Sequence, residues 1–436
     1  MPTITSTRFR PVATDRAGSA EPRWPEPLCR AVRRTTFGAN GALLDEAAGL
    51  GLDAWLSREL GADPNAPDAP TAQPTTDSPK AQREAAIQLA AWWLRRMVTS
   101  QHPLTERLVF GWHEYFATSI RTVRSPGLML TQQSTLRHHA VGRFADLAPA
   151  MLVDPAILVW LDGRRNTRRS PNENLAREFF EMFTLGQGIA YTESDVRESA
   201  RALTGWTITA AGTARFERAR HDDGVKTVLG RTGRLGATDV AAAALARPEC
   251  AAHVLRRWWR MLAAPTDAPA ATTARLLGAY GERGELTPAF RALLTDPGFT
   301  AAAGTVVVSP VEWLVGALRA LRVTLDDAAL TAALAGLDRL GQVPFAPPNV
   351  SGWPAGHAWL TSASAQVRLD LAGWLTARGD LKAVENTPAA QRLSAATHLL
   401  GIPTLTARTV AAANAHATHP QRLVTTLLLS PEYLVQ

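Results

Sequence analysis

From Ala81 onward the apolar residues of this chain recur at helical spacing, and one segment alone, Ala214 to Gly230, gives a convincing strand signal. That pattern confines the fold to an all-α or mainly α arrangement, a large single helical domain with a small β-hairpin near 214–230. Proline placement agrees. Pro103 stands at the start of a helix over 103–119 that follows another over 81–99, and Ser309-Pro310 and Ser430-Pro431 each set a Ser cap before a Pro at the first helical position. Within the strand segment two short runs flank His221-Asp222-Asp223-Gly224, and Asp-Gly between such runs favours a tight hairpin turn. Arg30 to Leu60 reads as two short helices and Pro388 to Gln436 as two or three closing ones. Gly61 to Pro79, rich in Pro, Asp, Ala and Thr, has too little apolar surface to offset its ordering entropy. The expected organisation is an N-terminal tail at 1–29 and a helical domain at 30–436, interrupted by a flexible insertion at 61–79.

At 436 residues and 46% hydrophobic composition, the chain can bury a large core. The formal net charge is +7, and only Lys80, Lys226 and Lys382 are lysines, so arginine supplies nearly all the positive charge. The basic clusters Arg30 to Arg34, Arg164 to Arg169 and Arg256 to Arg260 are short and interrupted, which reads as solvated or ion-paired surface. Nucleic acid is therefore not an expected partner, and a nucleic-acid reading would require a single basic face. Cys29 and Cys250 lie far apart without C-x-x-C spacing, so neither a disulfide framework nor a thiolate metal site follows. Met1 to Glu26 has no apolar run of the signal-peptide kind, and the longest apolar stretch, Phe299 to Leu321, is broken by Pro310 and Glu312. The expectation is a cytoplasmic protein without a transmembrane segment.

The residues that carry chemistry fall in three places. Taking Pro171 to Leu185 as one helix puts Asn174, Arg177, Glu178 and Glu181 within an arc of about 100°. The remaining positions from Leu175 to Phe183 are apolar, so the helix is expected to be buried on nearly all sides, with its polar stripe facing a cleft or an internal network. Buried carboxylates must be paired, hydrogen-bonded or metal-bound. The alternative is that Glu173/Arg177 and Asn174/Glu178 are ordinary i,i+4 helix-stabilising pairs. On a second helix His113 shares a face with Glu106, Phe110 and Ala117, while Glu114 points towards Arg107. The run His113-Glu114-Tyr115-Phe116-Ala117 begins like a zincin motif but has Ala117 where the second His must stand. A lone His on such a helix is also consistent with a satisfied core residue. Third, His221 and Asp222 precede the Asp223-Gly224 turn and are free to reach a metal or a reacting group, or simply to be solvated. Thr192 and Asp195 have capping-box spacing, and Pro347 to Trp359, with three prolines and two tryptophans, makes a stiff loop that either walls a pocket or packs.

At these residues the chain resembles the bacterial domain of unknown function 1800 family. The likeness rests on Arg33 to Gly38, Pro103 to Phe116, Asp154-Pro155 with Leu161-Asp162, Pro171 to Gly186, Tyr191 to Trp206, His221 to Gly230 and Phe345 to Trp359. The family implies no established activity. Members often have Phe-Trp-His-Asn-His-Phe where this chain has Gly111 to Phe116, so Tyr115 replaces a second His and leaves Glu114 or His221 to compensate. The resemblance also implies export for many members, and a role at the envelope or on an extracellular polymer.

Two readings stay open. In one the protein is a metal-dependent or acid-base hydrolase, with His113, Glu178, His221 and Asp222 converging as catalytic residues and as ligands of one divalent cation, Zn or Mn. Asn172, Glu173, Asn174 and Arg177 would then bind an anionic or hydroxylated substrate, with Trp206 and Trp353 lining the pocket. In the other it is a non-catalytic helical binding or assembly protein, and the same residues form a buried polar network.

Overall fold

The computed structural model describes residues 23–66, 68–70, 78–188, 190–302, 304 and 306–436. Most of the expected tail and part of the expected insertion, 67 and 71–77, lie outside the described residues. Those described form twenty-four α-helical segments and two small antiparallel sheets, as the helical spacing requires. The elements that position the sites are α1 (Glu26–Thr35), α2 (Pro79–Thr99), α3 (Pro103–Tyr115), α4 (Pro126–His138), α5 (Asn174–Glu178), α6 (Glu193–Ala202), α7 (Pro248–Leu262) and α8 (Pro310–Ala320). No helix among the described residues is long and apolar enough to cross a membrane.

The main hydrophobic core draws on residues from Trp24 to Tyr433, and α3 sits inside it, while Val307, Trp353 and Trp359 form a small second cluster. Pro103 occupies the first turn of α3, where its missing N–H costs nothing, and every residue of the helix except Glu114 is buried. Gly111 is demanded by a close approach, because a Cβ there would lie 2.4 Å from the Trp258 ring of α7. Trp112 packs edge-on against the same ring at 4.9 Å, so α3 and α7 lock through one aromatic contact.

Around α3 the charges enter this core in bonded sets. Glu106 of α3 accepts from Arg137 of α4 at 2.5 and 2.9 Å, from Trp93 Nε1 at 3.0 Å and from Arg96 Nε at 3.1 Å. One residue on, Arg107 turns to the other side and reaches Glu312 of α8 at 3.0 Å. Glu312 also closes a capping box with Ser309, as the Ser-Pro start implies. Ser430 differs: its hydroxyl makes no cap bond, although Pro431 does open a short helix.

The strand segment departs from expectation. Two separate hairpins form, β1 (Trp206–Ile208) with β2 (Ala214–Phe216), and β3 (Lys226–Val228) with β4 (Arg231–Gly233). Asp223-Gly224 lies in the connection between the two sheets and is not a hairpin turn. The two-residue turn is Leu229-Gly230, with φ of 48° and 83°. Leucine in the left-handed region is unfavourable alone, but here its N–H donates to Asp195 Oδ1 at 2.7 Å, so α6 holds the turn.

Candidate functional site

The stretch expected as one helix over 171–185 is composite. Asn172 Oδ1 accepts the Asn174 N–H at 2.9 Å and starts α5, and after Glu178 the backbone widens into a π-helical turn, Phe179–Thr184. Such widening leaves carbonyls without their usual partners. Side chains from elsewhere collect them: Met182 O accepts from Arg257 Nη1 at 2.7 Å and faces His253 Nε2 at 3.0 Å, and Phe183 O accepts the Tyr115 hydroxyl at 2.9 Å. Tyr115 therefore holds the π turn against α3.

The apolar side, Leu175, Ala176, Phe179, Phe180 and Phe183, is buried as expected. Its polar stripe is not enclosed. The side chains of Glu173 and Arg177 are 39% and 32% exposed, and Arg177 bonds Glu173 at 3.1 Å and Glu193 of α6 at 2.7 Å, with Glu181 at 3.8 Å. The stripe thus meets α6 at the solvent edge, and its Arg is already shared among three carboxylates. Asn174 is exposed. Glu178 is half-buried, and burial followed by repulsion from Glu181 raises its carboxyl above the usual range.

His113 is sealed. Its Nε2 accepts the Phe345 N–H at 3.0 Å, and Trp93, Phe110, Phe345 and Trp353 surround the ring. Burial pushes its pKa down to about 3, so it is a neutral acceptor. Trp353 does come to His113, at 5.5 Å between ring centres, as a packing partner from the proline-rich loop. Glu114 lies towards Arg107 at 3.9 Å and accepts from Gln342 at 3.3 Å; burial pushes its carboxyl up to about 7 despite the pull of Arg107.

His221 and Asp222 belong to a different neighbourhood. His221 Nδ1 lies 2.8 Å from Thr204 O, and its ring meets Phe216 at 5.1 Å, which in turn packs on Trp206 at 5.6 Å. Asp222 accepts from Arg201 Nε at 2.7 Å, which holds its carboxyl below the usual range, and Arg201 also pairs with Glu198. Lys226 Nζ donates to the Asp222 and Gly224 carbonyls. Among the described residues His113 and His221 have no hydrogen-bond or ring partner in common. Among the described residues no three His, Cys, Asp or Glu side chains gather to hold a metal, so the expected set His113, Glu178, His221 and Asp222 is not assembled as a group. The physical reason is local: each histidine already has a backbone partner, and Asp222 has its arginine. Asp195 caps α6 through a capping box with Thr192, as its spacing implies.

A different site is open. A cleft of about 580 Å³ lies where the β1–β2 turn, the helical turn Gly163–Arg165 and the segment leading into α4 come together. Arg121, Arg124 and Arg164 line it, with hydroxyls from Thr122, Ser125 and Thr209, and no carboxylate is among its described lining residues. Arg124 follows the turn Ile120–Val123 in the left-handed region at φ 55°, its N–H donating to Ile120 O. Gly212 lets the β1–β2 turn approach α4, since a Cβ there would lie 3.1 Å from Leu128. The sequence reading missed this cleft because its residues come from four distant segments. Arg164 alone belonged to a cluster it had singled out. The usable signal was the pair of arginines around Thr122-Val123, next to the Ser125-Pro126 helix start.

The chain belongs to the family described as Protein of unknown function (DUF1800). Its family model matches residues 30–435, nearly the whole chain. No curated protein and no solved structure matches it. Nearly all of the polar architecture described above, from α1 to the C-terminal segment, falls inside the matched range.

Proposed function

We propose that this protein is a helical binding protein for anionic ligands, received in the cleft of Arg121, Arg124 and Arg164. The observation that supports this reading is that Arg121, Arg124 and Arg164 line one open cavity whose other lining residues bring hydroxyl and apolar side chains and the Gln82 amide but no carboxylate. Guanidinium forks match the oxygens of phosphate, sulfate and carboxylate, and a cavity of this size lies within the range of small-molecule sites, roughly 300–1,000 Å³. Calorimetric titration of the full chain with inorganic phosphate and sulfate tests it. Saturable binding that weakens about tenfold or more in Arg124→Ala or Arg164→Ala, as expected when one charge-assisted contact is lost, supports the reading. Unchanged affinity in both variants refutes it.

A hydrolytic reading retains one specific support, the carboxyl of Glu178 at the π turn, which burial and the neighbouring Glu181 raise above the usual carboxylate range. A divalent Zn or Mn ion would assist there by polarising the bond to be cleaved. Metal analysis of the purified wild type beside Glu178→Ala and His113→Ala tests it. Stoichiometric metal lost in the Glu178 variant supports the cation, and a folded, metal-free wild type removes it.

A further inference from the structure

We infer that the ligand of the arginine cleft is a soluble phosphate monoester with a partly apolar body. This rests on the anion-binding reading and adds charge, size and lining. Asp338 lies 3.6 Å from Arg121, at the surface, so it offsets one of the three guanidinium charges. The cleft then presents about two net positive charges, which a phosphate monoester of roughly −1.5 to −2 at neutral pH matches and a single carboxylate does not. Arg124 and Arg164 are the two that make no ion pair among the described residues, and two guanidinium forks suit the three terminal oxygens of a monoester.

A bare ion would fill little of the cleft. A phosphate displaces about as much as two or three waters of roughly 30 Å³ each, roughly a tenth to a seventh of the 580 Å³ cleft. The remainder is lined in part by Val123, Leu128, Val159 and Ile208, which would exclude water from an apolar or aromatic body. Thr122 adds a hydroxyl for the ester or the remaining phosphate oxygens, whereas Ser125 Oγ accepts the Leu128 N–H and Thr209 Oγ1 pairs with Thr213 Oγ1. The left-handed backbone at Arg124 sets no obstacle to testing, because alanine tolerates that conformation about as poorly as arginine.

Titration of the full chain with inorganic phosphate, phenyl phosphate and benzoate separates these elements. Phenyl phosphate is expected to bind about tenfold or more tightly than either of the others, since only it offers both the charge and the body. Arg124→Ala should weaken both phosphates with its thermal midpoint unchanged. Ile208→Val, which keeps the β-branched shape and adds no hydroxyl, should lower the ratio of phenyl phosphate affinity to inorganic phosphate affinity. Equal binding of inorganic and phenyl phosphate, both lost in Arg124→Ala, would overturn the organic body while leaving anion binding intact. Binding of none of the three removes both readings. Binding confined to vesicles containing phosphatidic acid would overturn the soluble ester and assign the cleft to a lipid headgroup.

Discussion

Two groups of arginines in this molecule live under opposite conditions. Arg34, Arg107 and Arg137 are sealed in the core, whereas Arg121, Arg124 and Arg164 border an open cleft. Every sealed guanidinium has fixed acceptors. Arg137 has both oxygens of Glu106, Arg107 has Glu312, and Arg34 donates to the Leu262 and Met261 carbonyls at 3.0 and 2.9 Å. Burial still pushes Arg34 down to about 10, which measures how much the interior resists charge. The exposed cleft arginines have one surface carboxylate among them, Asp338 beside Arg121. Desolvation explains the contrast: a buried charge without a partner costs several kcal/mol, so these three core arginines sit among fixed acceptors, while solvent lets a cleft hold charge in reserve for a ligand.

The strongest way to break this comparison is to open one of the completed sets. Glu106→Ala leaves Arg137 sealed with a carbonyl and an amide in place of a carboxylate, and Trp93 Nε1 without its acceptor. The expected loss is about 3–5 kcal/mol in chemical denaturation, the range for breaking a buried pair from one side. Replacing both partners, Glu106→Gln with Arg137→Met, should cost less than the single change, because no orphaned charge remains. A single-variant loss below about 1 kcal/mol, the range of exposed pairs, would mean that water reaches Arg137 and that the two groups of arginines do not differ in kind.

The same contrast separates what was legible in the sequence from what was not. Apolar spacing and Pro starts located the beginnings of α2, α3 and α8, because capping chemistry is written in consecutive residues, but α3 ends at Tyr115, four residues before the expected Ser119. The polar stripe of Arg177 was legible as a stripe, but whether it faced an interior depended on α6 and Glu193, sixteen residues away. The π turn was invisible, since its freed carbonyls are satisfied by Tyr115, His253 and Arg257 from other helices. The hairpin turn was misplaced because Leu229 carries no turn signature of its own and relies on Asp195. His113 and Trp353 were both singled out and do meet, but the meeting is packing, and the residue type alone does not distinguish a ligand from an acceptor in a sealed aromatic box. The cleft arginines were passed over as surface charge, since convergence of four segments has no sequence period.

His113 gives the finer test, because it is sealed like Arg137 yet remains uncharged. With a folded pKa of about 3 against an ordinary value of 6.5, the folded state refuses a proton that the unfolded chain accepts. Its contribution to stability is therefore fully present above pH 6.5 and is lost as pH falls towards 3, at about 1.4 kcal/mol per pH unit over that window. Asp154 and Glu114, both raised to about 7 by burial, act in the opposite sense, gaining stability as pH falls from 7 towards their unfolded values. The whole-protein profile mixes these terms, so the difference between wild type and His113→Phe is the quantity to measure. At pH 7 the variant should be less stable by about 1–3 kcal/mol, since the buried Phe345 N–H loses its acceptor. That gap should close as pH falls from 6.5 to 4, because the variant has no imidazole to protonate. A gap constant across this range would show that His113 takes up its proton in the folded state, which requires solvent or an anion beside it and would place it with the open residues of the cleft and not with the sealed ones of the core.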